Sequence, residues 1–333
     1  MMKTSDRVLD LLKKNSGKYI SGQQMAEELY VTRASVWKAI KSLEKKGYEI
    51  EAITNRGYRL SATIDCLSLD YIQNELEDCC IEIDVLDEVD STNDEVRRRM
   101  LTGKESVLVL AESQSAGRGR RGREFYSPAF SGLYMSLGYR NISDESHVAY
   151  ITSIAAVSAY RAINDLLYSL DCKAKVSIKW VNDIFIDDKK ICGILTESYG
   201  GLEDEENKFL IVGWGINVNE ARESFPGKLS EIAGSIEKMT GVILPPNSRD
   251  ILATSIIRYF TNYIESGDRG FIDIYRNASN LIGAYVKINN FGSEKLRNYA
   301  RVVGINDKCH LLVEYENGTK GELSSGEVSV IKY

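Results

Sequence analysis

One ten-residue stretch, residues 114–123, constrains this chain more than any other. It holds four arginines and three glycines, and it follows an apolar β-rich run at residues 107–111. Glycine lets the backbone bend sharply and approach a ligand closely, while arginine offers carboxylates and phosphates a planar cationic fork. Because the four like charges repel one another, we expect this segment, the arginine loop, to become ordered around an anionic ligand.

The arginine loop also has the Gly117-x-Gly119-x-x-Gly122 spacing of a dinucleotide-binding fingerprint. That fingerprint must open a helix, whereas residues 124–128 contain two aromatics and a proline without helical periodicity. We therefore disfavour a dinucleotide site. Taken alone, the stretch is also compatible with a solvated basic turn or a nucleic-acid patch.

Composition limits the class of protein. A chain of 333 residues suggests two or three domains, and its net charge of −6 argues against a protein coated with nucleic acid but not against one basic module. Six scattered cysteines without a C-x-x-C pair, and two distant histidines, argue against a zinc site or a disulfide framework. We expect no dedicated metal site and free thiols in the cytoplasm.

Neither the N-terminus nor the most apolar interior stretch predicts a membrane protein. The N-terminus carries charges within its apolar pattern, unlike a signal peptide. The most apolar long stretch, residues 148–170, contains Arg161 and Asp165, which is typical of a buried helix rather than a membrane span.

The first 62 residues differ from the rest in charge. They hold twelve basic and seven acidic residues, a net charge of +5 within a chain of net charge −6, which points to a polyanion partner for this segment alone. Apolar spacing and capping residues predict three helices, the third over residues 33–46, and then a hairpin around residues 55–57. This order is typical of a winged helix-turn-helix, which binds DNA through the major groove.

Five residues on or beside the third helix and at the hairpin tip are candidate DNA contacts: Thr32, Arg33, Ser35, Lys38 and Arg56. Phosphate contact is the commoner role for any one of them. Because so small a domain binds tightly only when paired, we expect a homodimer that reads two half-sites. The alternative is a helical protein-interaction module, but the basic helix and wing favour DNA.

The middle of the chain carries two further polar clusters. Residues 90–93 lie at a predicted strand-to-helix junction and can offer donors and acceptors to a polar ligand, although a plain helix cap by Ser91 or Thr92 is the alternative. Lys179, Asp183 and Lys190 lie on a predicted strand–turn–strand segment that can aim two cations and a carboxylate into one pocket. A structural Lys179–Asp183 ion pair is the alternative there.

The sequence pattern of the last third of the chain predicts secondary structure but names no catalytic or binding residues. Residues 232–264 have a helical pattern broken by Pro245-Pro246, and residues 282–333 alternate like β-strands, with a strong hairpin signal at Asn317-Gly318. We therefore expect three domains, over residues 1–63, 64–280 and 281–333.

Five motifs come in the order found in the biotin–protein ligases. They are Asp-Ser-Thr-Asn at 90–93, the arginine loop, Lys-Trp-Val-Asn-Asp at 179–183, Lys-Ile-Cys-Gly-Ile-Leu-Thr-Glu at 190–197 and Gly-Trp-Gly-Ile-Asn-Val-Asn at 213–219. With its predicted winged helix, the chain resembles the BirA family, the bifunctional biotin–protein ligases and biotin operon repressors, over essentially its whole length. Val181 departs from the family, which usually has proline there.

The resemblance implies an α+β fold with an N-terminal winged helix-turn-helix, a central mixed α/β catalytic domain of the biotin/lipoate ligase type and a C-terminal SH3-like small β-barrel. It implies that biotin and ATP, with Mg²⁺, form biotinyl-5′-AMP, which acylates one lysine of a biotin carboxyl carrier protein. It also implies an adenylate-bound homodimer that represses biotin genes at operator DNA.

Two other functions stay open. A biotin-sensing repressor without catalysis is disfavoured by the intact Arg120 and Lys190. A lipoate ligase on a similar fold is disfavoured by the arginine loop and the repressor-like N-terminus.

Residue roles are also carried over from the family. Nine residues are implied to bind biotin or the nucleotide: Ser91, Thr92, Asn93, Gln114, Arg118, Gly119, Arg120, Lys190 and Asn217. Within this set, residues 91–93 and Gln114 are expected at biotin, residues 118–120 over the adenylate and Asn217 near the adenine or ribose. Four residues are implied to be catalytic: Arg120, Lys179, Asp183 and Lys190.

Overall fold

The computed structural model describes residues 3–15, 17–45, 47–61, 65–140, 145–200, 208–221, 225–288 and 299–331, with the backbone alone for residues 145–149. The chain forms two compact units. One comprises Met1–Ser68 with Pro245–Asn247, and the other comprises Leu69–Leu244 with Ser248–Tyr333. The predicted catalytic and C-terminal parts share the second unit, and a boundary between them near residue 280 stays a prediction.

The first unit is a winged helix-turn-helix, as predicted. Its helices are α1 (Thr4–Lys14), α2 (Gly22–Glu28) and α3 (Arg33–Lys45), and its hairpin pairs β1 (Ile50–Ile53) with β2 (Gly57–Leu60). The hydroxyls of Ser21 and Thr32 accept hydrogen bonds from the third residue after them, at 3.1 Å each, so that each holds a helix start in place. The last residue of the predicted third helix, position 46, lies outside the described residues.

The second unit is built on a seven-stranded sheet. Its strands are β3 (Glu82–Val89), β4 (Ser106–Gln114), β5 (Gly132–Tyr139), β6 (Val176–Lys179), β7 (Asp183–Ile186), β8 (Lys189–Tyr199) and β9 (Phe209–Asn217). They run in the spatial order β3-β4-β5-β9-β8-β7-β6, with β3 and β4 parallel and every other neighbouring pair antiparallel.

Helices cover both faces of the central strands. The helices of this unit are α4 (Leu69–Glu75), α5 (Thr92–Met100), α6 (Glu145–Ser169), α7 (Leu229–Ile232), α8 (Ile236–Thr240), α9 (Ser248–Ser266) and α10 (Phe271–Asn277). On one face Val96 and Met100 of α5 pack with Val107 of β4. On the other face Trp214 of β9 meets Phe260 of α9 edge to face at 5.5 Å. Burial on both sides explains the near-continuous apolar runs of β4, β5 and β9.

The C-terminal segment forms the small antiparallel sheet expected of an SH3-like barrel. Its strands are β10 (Tyr285–Ile288), β11 (Tyr299–Ile305), β12 (Leu311–Tyr315), β13 (Lys320–Leu323) and β14 (Val328–Val330), in the order β13-β12-β11-β10-β14. The predicted hairpin at residues 317–318 joins β12 to β13, with Gly318 at a φ of 78°. Residues 289–298 of the predicted alternating segment lie outside the described residues, and α10 was not predicted.

Candidate active site

The structure brings all the predicted ligand and catalytic residues to one cavity of about 220 Å³. The arginine loop leaves the end of β4 and borders this cavity. The predicted residues that line it are Ser91, Thr92, Asn93, Gln114, Arg118, Gly119, Arg120, Lys179, Asp183, Lys190 and Asn217. The candidate DNA contacts lie in the other compact unit.

Ser91 lies at the start of α5 but does not cap it. Its side chain is 2% exposed and accepts no hydrogen bond from the helix, although the residue occupies the capping position. The neighbouring Asp90 carboxylate instead accepts from the Ser91 N–H at 2.8 Å, and its hydrogen bonds from Arg98 lower its pKa to about 2. The plain-cap alternative is therefore wrong for Ser91, and this residue lines the cavity.

Thr92 and Asn93 are buried beside the cavity and held by partners that the sequence did not single out. The Ser136 hydroxyl of β5 lies 2.7 Å from Thr92 Oγ1 and 2.6 Å from Asn93 Oδ1, and Asn93 Nδ2 donates to Glu197 Oε2 of β8 at 2.7 Å. These contacts fix the orientation of the Asn93 amide. The one signal in the sequence for Ser136 is a single serine inside an otherwise apolar and aromatic strand.

The side chain of Gln114 is fixed from both ends. Its Oε1 accepts from the Thr92 backbone N–H at 2.9 Å, and its Nε2 donates to the Ser127 hydroxyl at 2.9 Å. Strand β4 and the start of α5 are therefore tied together at the cavity wall.

The arginine loop is held by the protein's own polar groups. Arg118 lies 3.0 Å from Asp94 and 3.3 Å from Glu197, and Arg120 donates to Asn182 Oδ1 at 3.0 Å. These partners offset the repulsion between the guanidinium groups. A single 3₁₀ turn at Arg120–Gly122 interrupts the loop, and no α-helix begins in residues 123–131, all of which are described. This agrees with the exclusion of a dinucleotide fingerprint.

A glutamate of the connection between β13 and β14 also contacts the arginine loop. Glu327 accepts two hydrogen bonds from Arg123, at 2.6 and 2.9 Å, and a longer one from Arg121 at 3.3 Å. Burial acts to raise the pKa of Glu327, but the bond from Arg123 and the nearby positive charges lower it below its ordinary value. The sequence named no chemistry for this part of the chain, yet Glu327 lines the cavity.

The two candidate lysines stand in different electrostatic surroundings. Lys190 Nζ pairs with Asp183 Oδ1 at 2.7 Å. The ion-pair alternative had named Lys179 as the partner of this carboxylate, whereas the structure pairs it with Lys190. Burial lowers the pKa of Lys179, and the charges of Lys190 and Arg123 lower it further against the opposing effect of Asp183. The site therefore disfavours an additional ammonium group.

The segment that carries Asp183 is anchored from behind. Trp180 Nε1 donates to the Cys309 carbonyl at 2.9 Å, the Tyr275 hydroxyl donates to the Val181 carbonyl at 2.7 Å, and Asn182 Nδ2 donates to the Ile194 carbonyl at 2.5 Å. The peptide bond between Trp180 and Val181 is cis. This anchoring lets Asn182 present its carbonyl oxygen to the arginine loop.

Gly215 makes room for the ring of Phe125, which follows the arginine loop. Gly193 of β8 and Gly215 of β9 are cross-strand partners. A Cβ atom on Gly215 would lie 2.6 Å from the Phe125 ring, and one on Gly193 would lie 3.6 Å from it. Glycine at position 215 is thus required for the close approach of this ring to the sheet.

Asn217 at the end of β9 supports the opposite wall. Its Nδ2 donates to the Gly234 carbonyl at 3.0 Å, and Gly234 in turn donates its N–H to the Lys190 carbonyl at 3.0 Å. These bonds hold residues 229–233, several of which line the cavity, beside β8.

Comparison with known proteins agrees with this geometry. A family model described as an HTH domain matches residues 4–59, and one described as the biotin/lipoate A/B protein ligase family matches residues 85–217. The bifunctional ligase/repressor BirA of Bacillus subtilis (strain 168) is 30% identical over 321 residues, covering 94% of each chain. This chain belongs to the BirA family.

Other members and a solved structure extend the comparison. The BirA protein of Escherichia coli (strain K12) is 28% identical over 323 residues, covering 95% of this chain and 94% of its own. The biotin protein ligase of Aquifex aeolicus, solved in complex with biotin and ATP, superposes with a TM-score of 0.60 at 26% identity, covering 76% of this chain and 99% of its own.

The candidate DNA contacts of the first unit divide into two groups. Thr32 and Ser35 bond to each other, their hydroxyl oxygens 2.9 Å apart, as part of the cap of α3. Arg33, Lys38 and Arg56 have exposed side chains, the last in the turn between β1 and β2. Membership of the BirA family is consistent with a DNA-facing role for this surface.

Proposed function

We propose that this member of the BirA family is both a ligase and a repressor. It joins biotin to ATP, giving biotinyl-5′-AMP, transfers the biotinyl group to one lysine of a biotin carboxyl carrier protein, and represses biotin genes by binding operator DNA. The single observation that most supports the enzyme is the convergence of eleven predicted residues, drawn from separate segments, on one cavity. The named relatives support both activities.

Uncharged polar groups would hold the biotin ureido ring. That ring has two N–H donors and one carbonyl acceptor, and hydroxyl and amide groups can match both kinds. Ser91, Thr92 and Asn93 supply them, and the contacts of Ser136 and Glu197 keep the Asn93 amide in one orientation. A preoriented polar cluster favours one ligand pose.

Adenylate formation requires the enzyme to bring two anions together. The biotin carboxylate attacks the α-phosphate of ATP, so no protein nucleophile is needed, and positioning and electrostatic stabilisation supply the rate. In this structure Lys190 and Arg118 already hold carboxylates, those of Asp183 and of Asp94 and Glu197. We propose that the ligand's carboxylate and phosphate take over these cations, with Arg120 retaining the adenylate.

Transfer to the carrier needs a neutral lysine amine. Burial and the positive charges of Lys190 and Arg123 lower the pKa of Lys179, and the same surroundings would lower the pKa of an incoming lysine. When Lys190 turns to the ligand, the Asp183 carboxylate is left to accept the ammonium proton. The amine then attacks the biotinyl carbonyl and AMP leaves.

Mg²⁺ fits this site as a companion of ATP. Among the described residues, no group of three or more histidine, cysteine or acidic side chains could hold a metal ion. A Mg²⁺ ion with water and phosphate ligands needs at most one or two carboxylates, such as Asp183 or Glu327 beside the cavity. When bound, it would neutralise phosphate charge.

Operator binding would use the exposed face of α3 and the wing. Arg33, Lys38 and Arg56 supply positive charge for phosphates or bases, and a homodimer would set the spacing of two half-sites.

In the part of the chain that the structure describes, no helix combines the length and apolar character needed to cross a bilayer. A cytoplasmic location stays a prediction of the proposed reaction, since ATP, the carrier and operator DNA meet there.

The two activities would be coupled through the arginine loop. We propose that bound adenylate orders residues 114–128 and promotes dimerisation, so that DNA binding rises when carrier is scarce. Sedimentation with and without biotin and ATP tests this, and identical monomer populations in both conditions would discard the coupling.

The ligase itself is tested by incubating the full-length protein with ATP, biotin and a purified carrier domain. We expect a mass increase of one biotinyl group on a single carrier lysine. A carrier that stays unlabelled despite biotin binding would indicate the sensor alternative. In a parallel incubation with lipoate in place of biotin, lipoylation of a lipoate-accepting carrier domain would indicate a lipoate ligase.

A further inference from the structure

The indole side chain of Trp37 in α3 is exposed to solvent, although the same helix has a buried apolar face. This side chain is 53% exposed, while Val36, Ile40 and Leu43 of the same helix are at most 1% exposed. At 100° per residue, Trp37 falls about 40° around the helix from Arg33 and about 60° beyond Ile40, at the exposed edge of the buried stripe. An exposed indole forgoes the stabilisation that burial gives so large an apolar group.

A second aromatic residue precedes α3 in an equally unfavourable setting. Tyr30, in the turn between α2 and α3, is 93% exposed and has a φ of 52°. This left-handed backbone region suits glycine and is uncommon for a bulky side chain. The exposure of Trp37 and the left-handed backbone of Tyr30 both reduce folding stability. Their occurrence in one short segment of the first unit points to a binding role for this surface.

Charge and groove chemistry identify the partner as double-stranded DNA. The first 62 residues carry a net charge of +5, and the N-terminal part of such a helix faces base edges in the major groove. The only apolar group that base edges present there is the C5-methyl of thymine. An indole among cations therefore complements thymine rather than the sugar–phosphate backbone.

We infer that Trp37 contacts the C5-methyl group of a thymine and selects thymine at one position of each operator half-site. This inference rests on the proposed DNA-binding function and adds to it a base preference and the residue that sets it. The cationic side chains of Arg33 and Lys38, on the same helix as Trp37, contribute electrostatic affinity for DNA.

Tryptophan fluorescence can follow this contact in the intact protein. The chain has three tryptophans, and Trp180 and Trp214 are only 4% and 1% exposed, so an aqueous quencher such as acrylamide reports Trp37. The DNA would be a duplex selected from a random-sequence pool by the full-length protein with biotin and ATP. We expect bound duplex to protect Trp37 from quenching, and unchanged quenching in the complex would overturn the inference.

The base preference is tested by replacing each thymine of that duplex with deoxyuridine, which removes only the methyl group. We expect the wild-type protein to lose about fivefold in affinity at one position of each half-site. Trp37→Ala should bind the thymine duplex about as weakly as wild type binds the uracil duplex and should no longer distinguish the two. Trp37→Phe should keep part of the preference.

Far-ultraviolet circular dichroism and thermal unfolding serve as the folding control for the first unit, and carrier biotinylation serves as that for the second unit. Both should be equal in all three proteins. If wild type tolerates every uracil, or if Trp37→Ala still discriminates, the inference fails while DNA binding stands. If wild type enriches no duplex from the pool, the proposed DNA-binding function fails and the inference falls with it.

Discussion

Glu327 and Arg123 form a bidentate ion pair, in which the two guanidinium nitrogens lie 2.6 and 2.9 Å from the two carboxylate oxygens. This pair joins the residue that directly precedes β14 to the arginine loop. Arg121 shares the same carboxylate. The connection between β13 and β14 thus restrains the segment that borders the catalytic cavity, and this restraint can be measured.

Replacing Glu327 by glutamine should loosen the arginine loop in the ligand-free protein. The pair is partly exposed, so its loss costs at most about 1 kcal/mol, or roughly a fivefold increase in local opening. Trypsin cleavage within residues 118–123 should accelerate accordingly, and biotin with ATP should restore protection. Glu316→Gln, in the exposed β12–β13 turn, is the control and should cleave like wild type. Equal cleavage rates in all three proteins would contradict the restraint.

Arg120→Gly should release adenylate prematurely. Arg120 lines the cavity and donates to Asn182, and a charge-assisted hydrogen bond contributes about 1.5–3 kcal/mol, which corresponds to at least tenfold faster escape. Free biotinyl-5′-AMP would then label lysines of bystander proteins, detected by mass spectrometry. Arg121→Gly, at the neighbouring position that pairs with Glu327, should leak less. Bystander labelling equal to wild type would show that Arg120 is not the retaining residue.

Ser136→Ala should weaken biotin binding without unfolding the protein. The substitution leaves the buried Thr92 and Asn93 oxygens without this hydroxyl, at a cost of about 1–3 kcal/mol. We expect the KM for biotin to rise roughly tenfold while the KM for ATP changes little. Ser158→Ala is the control because its equally buried hydroxyl donates to the Ile154 carbonyl of its own helix. A biotin KM that rises equally in both variants would remove the specific role of Ser136.

The stability cost of burying Lys179 should disappear at alkaline pH. Because burial lowers its pKa in the folded state, the unfolded chain binds more protons between that lowered value and the ordinary 10.5. The free energy of unfolding of wild type should therefore rise with pH across this window, relative to Lys179→Met, which cannot titrate. Melting temperatures of both proteins measured from neutral pH to 10.5 should converge. A constant difference would mean that Lys179 keeps an ordinary pKa.

Residues in contiguous motifs could be predicted from the sequence, and their structural neighbours could not. The arginine loop and residues 90–93 carry dense polar chemistry within a few positions, so pattern alone indicated them. Ser136 and Glu327 lie outside these motifs, and Glu197 ends one of them without a role that the pattern assigned. They reach their partners across 43, 204 and 104 positions respectively. Only the strand order and register bring them to the cavity, and neither is visible in local periodicity.

The same distinction applies to secondary structure. Long periodic segments such as α3, α6 and the alternating C-terminal strands were predicted closely. The seven-residue helix α10 was missed because two turns contain too few apolar positions to establish a period, and its Tyr275 is fixed by tertiary contacts with the loop at Val181.

The missing side chain of Gly215 gives the sheet a shallow socket that the ring of Phe125 occupies. The arginine loop is consequently pinned at its C-terminal foot, and any opening must swing about that foot instead of lifting as a whole. A single methyl group added in the socket would tilt the entire roof of the site from below, without touching one charged residue.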